Sequence, residues 1–225
     1  MNNNSRQSLA SGRHLAGFFL ISAGIVIASW LLSLHPFSPD QGHRFLLYLG
    51  LIAMELLLVW FVIAGARANG NGLMDIVGRG WRNWRDCARD CLLALGTLVL
   101  VAVSARMLVL LVGRWSPRVA FLLPTTLAES IGWSVVAITA GICEEIVYRG
   151  YLQRQLSAFT GSLPIAVCLQ AVIFGAAHLY QGWKPGVAIV VVGFILGSVA
   201  AWRRSIIPGI IAHAILDILS SSALH

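Results

Sequence analysis

Charge is what this sequence has least of. Charged side chains make up 11% of the 225 residues, and only nine residues are acidic. A soluble domain carries about 25% charged residues, so a water-soluble globule is excluded. Disorder is excluded as well, because it needs few apolar residues and here 58% are hydrophobic. Lysine is nearly absent: Lys184 stands alone against fifteen arginines. Cysteine is sparse, and Cys87, Cys91, Cys143 and Cys168 show neither a disulfide framework nor the paired spacing of a zinc finger. No internal repeat is visible, which argues against an inverted-repeat transporter. What the chain does have is long apolar runs.

A bilayer core of about 30 Å needs roughly 20 apolar residues in a helix. Seven runs qualify as spans: Leu15–Leu34, Phe45–Ala64, Cys91–Val112, a run starting near Leu127, Leu163–Tyr180, Gly186–Trp202 and Ile206–Leu219. An eighth arises if Val119–Leu123 forms a separate re-entrant piece. The expected fold is thus an all-α polytopic membrane bundle forming one domain. It has a cytoplasmic tail (1–14), three N-terminal spans (15–112) and a C-terminal core (127–219). The first span is too long for a signal-peptide core and lacks a cleavage site. Thr126-x-x-Glu129 predicts a capping box at the start of the fourth. With the N-terminus in the cytoplasm, eleven basic residues fall on inner segments and four on outer ones. This bias follows the positive-inside rule. The net charge of +7 is therefore a topology signal, and no nucleic-acid partner is expected. The arginine bias is associated with a bacterial source and hence an inner membrane.

Ionisable groups inside a membrane are costly, so each is a candidate for function. Glu55 and Arg106 lie within the second and third spans, and the expectation is a neutralising ion pair between neighbouring helices. Glu144-Glu145-Ile-Val-Tyr-Arg149 is the second cluster. Glu145 and Arg149 are four apart and can pair on one helical face. Glu144 points about 100° away and is left free. Phe174-Gly-Ala-Ala-His178 and His213-Ala-Ile-Leu-Asp217 complete the set. A lone intramembrane histidine is usually a hydrogen-bonded core residue, but two histidines, a free glutamate and an aspartate each need a partner. Thr160-Gly161-Ser162 reads as a turn. Glu144 and His178 each lie 17 residues from Gly161, so a straight hairpin sets them at one level. The polar Arg149, Gln153, Arg154 and Gln155 favour a hairpin that projects beyond the bilayer.

EEIVYR at 144–149, FGAAH at 174–178 and HAILD at 213–217 resemble the EExxxR, FxxxH and HxxxN/D motifs of the CPBP family. That family comprises polytopic intramembrane proteases, with CAAX prenyl endopeptidases and bacteriocin-immunity proteins among them. The resemblance spans roughly Leu127 to Leu219. It implies an endopeptidase acting on a membrane-associated protein or peptide, with Glu144, His178, His213 and Asp217 as the active constellation and Glu145 and Arg149 in support. Two mechanisms fit. Glu144 is a general base assisted by His178, with His213 at the oxyanion; or Glu144, His178, His213 and Asp217 hold a divalent metal such as Zn2+, which acidifies a bound water. Ionised Asp217 is an acceptor only, so it orients His213, ligates a metal or stays protonated, which tilts the reading toward the metal. Cys143 is expected to be a small buried hydrophobe rather than a nucleophile. The competing reading is a non-proteolytic binding or immunity protein that uses the same cavity.

Overall fold

The computed structural model describes residues 8–34, 43–114 and 118–222; the first half of the expected tail, including Arg6, lies outside them. The described chain is helical throughout and contains no β-strand. The helices are α1 (Gly12–Leu34), α2 (Arg44–Ala68), α3 (Leu73–Val77), α4 (Trp84–Val112), α5 (Leu127–Glu144), α6 (Gln153–Thr160), α7 (Leu163–Ala177), α8 (Trp183–Arg203) and α9 (Ile207–Ser222). A π-helical segment, Glu145–Leu152, fuses α5 to α6. Five helices are long and apolar enough to cross a membrane, and two shorter apolar ones are Leu163–Ala177 and Ile207–Ser220. These correspond to the seven expected spans. The suspected eighth piece is only a 3-10 turn, Ala120–Leu122, tied down by Arg44 Nε to the Phe121 carbonyl and Tyr48 Oη to the Leu122 carbonyl.

Local chemistry sets the helix ends. Thr126 Oγ1 accepts from the Glu129 amide at 3.2 Å, and Glu129 Oε2 accepts from the Thr126 amide at 3.2 Å, the reciprocal capping box. The α6–α7 turn uses Gly161 at φ +67°, a conformation that glycine adopts without steric cost, and Ser162 caps α7.

Periodicity decides which face each helix shows to the protein. On α2 the buried set is Arg44, Tyr48, Glu55, Val62, Gly65 and Ala66. Steps of four and seven residues keep these on one stripe, while Leu46, Leu49, Leu56, Leu57 and Trp60 point outward. Exposed leucines suit a helix whose solvent is lipid.

The packing order corrects one expectation. α2 packs on α5, while α4 packs on α8 and α9. Glu55 and Arg106 therefore do not pair: Glu55 is buried and Arg106 is exposed. The long connection through α3 leaves α2 and α4 free to separate, and α5 packs on α2 while α9 packs on α4. The buried ion pair on α4 is instead Asp90 with Arg203, at 2.6 Å, with Trp81 Nε1 donating to the same carboxylate.

The segment before α1 and the polar stretch after Glu144 both pack against the bundle. Leu9 and Ala10 are buried. The Leu9 amide donates to Gln155 Oε1 at 2.6 Å, and Gln155 Nε2 donates to the Ala10 carbonyl at 3.0 Å. Gln153 Nε2 bonds the Gly197 carbonyl, and Arg154 bonds the Asp75 carbonyl. The polar stretch after Glu144 thus serves backbone groups of neighbouring segments, and every residue of Glu145–Leu152 is buried.

Segments assigned to a common side do meet at one end. Arg79 donates its amide to the Arg204 carbonyl, and Gly78 bridges Ser205. At the other end Arg44 pairs with Glu129 at 3.0 Å.

α5 and α9 approach very closely. A Cβ on Gly141 would lie 2.8 Å from the Ala214 backbone nitrogen. Gly141→Ala is therefore expected to push α9 outward and lower stability by about 1–3 kcal/mol, the usual cost of overpacking. Thermal unfolding in detergent checks this; an unchanged midpoint would refute the contact.

Candidate active site

Glu144 ends α5 at the point where the helix widens. The Gln153 amide bonds the Tyr148 carbonyl five residues back, a π-type hydrogen bond of the kind that recurs at functional sites. The segment buries both glutamates but aims them differently. Glu145 turns toward Arg149, whose Nη1 lies 2.9 Å from Glu145 Oε1. The approach is off the N–H axis, so it is an ion pair without an aligned hydrogen bond, and the guanidinium also lies 4.3 Å over the Phe174 ring. Both side chains are fully buried. A Cβ on Gly209 would lie 2.6 Å from Glu145 Oε2, so glycine there is what admits the carboxylate.

Glu144 faces the two histidines. His178 Nε2 is 3.6 Å from Glu144 Oε1, and His213 Nε2 is 3.5 Å from Glu144 Oε2. The hairpin ruler holds: residues equidistant from Gly161 stand side by side. His178 caps the C-terminus of α7, and its Nδ1 donates to the Phe174 carbonyl at 2.8 Å. His213 Nδ1 donates to Glu145 Oε1 at 3.0 Å. A carbonyl and a carboxylate only accept, so both Nδ1 atoms carry hydrogen and both Nε2 atoms are turned to Glu144. Arg149, Glu145, His213 and Glu144 thus form one connected line of charge.

Asp217 is one helical turn from His213, with Oδ2 3.7 Å from Nε2, and its side chain is about a third exposed. Glu145 thus holds the His213 ring through Nδ1, while Asp217 lies on the side of Nε2. Helical spacing alone brings Asp217 near the ring; only the α5–α9 packing brings Glu145 to its other nitrogen.

The four side chains border one cavity of about 400 Å³, together with Tyr148, Phe174 and Glu55. Its remaining walls are mostly apolar, from α2, α5, α8 and α9. Two of these participants, Phe174 and Glu55, had no place in the active constellation expected from sequence. Phe174 stacks edge-on with His178, His213 and Tyr148, at centroid distances of 4.8, 5.9 and 4.9 Å. It is the common wall of the site, and its place in the FxxxH motif was the available signal. Glu55 had been assigned to a structural pair.

Among the described residues, no group of three or more His, Cys, Asp and Glu side chains is arranged to hold a metal ion. The Glu144 carboxylate stands between the two imidazoles.

Cys143 is buried and does not border the cavity. Cys143→Ala is expected to leave the reaction rate within about threefold, because a buried thiol acts as a small hydrophobe. A loss comparable to that of Glu144→Gln would assign it the nucleophile's role.

A comparison with family models matches residues 124–219 to the family described as Type II CAAX prenyl endopeptidase Rce1-like. No curated protein and no solved structure matches the chain. The matched stretch begins just before α5 and ends within α9, so it contains Glu144, Glu145, Arg149, His178, His213 and Asp217. Over residues 124–219 the chain is similar to the family described as Type II CAAX prenyl endopeptidase Rce1-like.

Proposed function

We propose that the protein is an intramembrane endopeptidase that hydrolyses a peptide bond of a membrane-associated protein or peptide, with Glu144 as the general base. The observation that carries this reading is a single buried carboxylate placed between two imidazole Nε2 atoms in a cavity among apolar helices. Amide hydrolysis needs an activated water, a stabilised oxyanion and a proton for the leaving amine. Glu144 takes a proton from water held in the cavity. The hydroxide oxygen bonds to the scissile carbon, and the carbonyl electron pair moves to oxygen. His213, whose ring lies between the Glu145 and Asp217 carboxylates, donates a hydrogen bond from Nε2 to that oxyanion. His178 holds the water against Glu144. The tetrahedral intermediate then collapses, Glu144 passes its proton to the amine, and the C–N bond breaks.

The family's description points to CAAX peptides as the first substrates to try. Purified protein in lipid nanodiscs is offered a prenylated CAAX peptide, its unprenylated counterpart and an unrelated membrane-anchored peptide, and cleavage is read by mass spectrometry. Cleavage that disappears in Glu144→Gln supports the reading. No cleavage of any peptide, with biological function retained by Glu144→Gln, supports a binding or immunity role for the same cavity.

A further inference from the structure

We propose that Glu55, on α2 and outside the matched region, is a positioning residue of this active site, holding the Glu144 carboxylate through a carboxyl–carboxylate hydrogen bond. The inference rests on the hydrolytic reading above and adds a component from the N-terminal spans.

Four observations converge. Glu55 lies on the buried stripe of α2, in step with Tyr48 and Val62, and is 8% exposed. It borders the same cavity as Glu144, His178, His213 and Asp217. Its side chain lies close enough to that of Glu144 for the two carboxyl groups to act on each other. Its Oε2 is buried without a hydrogen-bond partner, and none of the ion pairs among the described residues includes it. A glutamate placed merely to join α2 to α5 would have a cation or a backbone donor, as Glu129 has Arg44 and the Thr125 amide.

Two neighbouring carboxylates in one buried cavity are not both ionised, so the pair shares one proton. The surroundings say which oxygen donates. Glu144 is flanked by His178 and His213, whereas the charged groups that act on Glu55 are the acids Glu144 and Asp217. Glu55 is therefore the donor and Glu144 the acceptor, which leaves Glu144 ionised as a base and fixes one of its oxygens. The catalytic proton moves between water, Glu144 and the amine. Glu55 keeps its own proton throughout.

Gln and Leu separate this from packing. Glu55→Gln keeps the size and a hydrogen-bond donor; Glu55→Leu keeps comparable bulk and loses the donor. In the full chain in nanodiscs, Glu55→Gln is expected to keep kcat within about threefold. Glu55→Leu is expected to lose about 10–100-fold in kcat, the value of a hydrogen bond to a charged group, with KM unchanged. A wild-type kcat in Glu55→Leu, or a Glu55→Gln as impaired as Glu55→Leu, overturns the proposal. A second measurement needs no turnover. The infrared difference between wild type and Glu55→Gln should contain the carbonyl band of a protonated carboxyl, and that band should shift in Glu144→Gln. Its absence from the difference overturns the proposal even if Glu55→Leu does not fold. If Glu144→Gln and His178→Ala both retain cleavage, the hydrolytic reading fails, and the infrared band still decides whether Glu55 and Glu144 are bonded.

Discussion

Glu144→Gln is expected to fold as the wild type does and to hydrolyse its substrate about 10²–10⁴-fold more slowly, the range that positioned general bases contribute. The substitution keeps shape and volume and removes only the basic oxygen. Its neighbours tolerate the change. His178 retains the Phe174 carbonyl, and His213 retains Glu145, so neither ring loses its anchor. The effect should fall on kcat, because the carboxylate acts on water and not on the substrate's remote contacts. His178→Ala should show a loss of similar order. Residues that act as a unit are not additive, so the double variant should be scarcely worse than either single one. Single-turnover cleavage, with thermal unfolding as the control for folding, measures both. A Glu144→Gln variant that cuts at the wild-type rate would remove the general-base mechanism.

Arg149→Met is expected to destabilise the protein by about 3–5 kcal/mol, the cost of leaving one partner of a buried ion pair without its counter-charge. Arg149 and Glu145 are both fully shielded from solvent. Without the guanidinium, the Glu145 carboxylate would keep only His213 among its present partners, and its Oε2 already lacks one. The Phe174 ring would also lose the cation over its face. Pairing Arg149→Met with Glu145→Gln should recover much of the loss, because buried pairs replaced together by neutral groups are often tolerated. The recovered protein should remain slow, since His213 would no longer have a carboxylate at Nδ1. Thermal unfolding of the two singles and the double in detergent gives the coupling. Additive losses would show that the pair does not act as one unit. The two substitutions thus separate roles within one motif: Glu144 should matter to rate and not to stability, and Arg149 to both.

Much of this was legible before any coordinates. Apolar runs of helical length give seven spans wherever lipid is the solvent, because every backbone polar group must then be satisfied within its own helix. The capping box at Thr126, the turn at Gly161 and the Glu145–Arg149 pair are local, with a register fixed by 1.5 Å rise and 100° per residue. The same arithmetic set Glu144 level with His178. Local rules fail where partners come from distant sequence. Nothing in the spacing of Glu55 and Arg106 reveals that α5 lies against α2 and that α8 and α9 lie against α4. The polar side chains of 149–155 read as water-facing because the Leu9 amide and the Gly197 carbonyl that engage Gln155 and Gln153 are remote in sequence.

The sequence by itself determined the membrane class, the helices and the residues able to do chemistry. It did so because a chain with nine acidic residues places three of them, Glu144, Glu145 and Asp217, inside the three motifs. Only the tertiary structure decided which groups meet. It gave His213 to Glu145 as its orienting partner, set the Glu144 carboxylate between two imidazoles, and brought Glu55 from the N-terminal spans to the same cavity. The physical reason is close packing between helices far apart in the chain. Gly141 and Gly209 allow α9 to approach α5 and the π segment to within direct backbone and carboxylate contact, and that approach cannot be read from the period of any one helix.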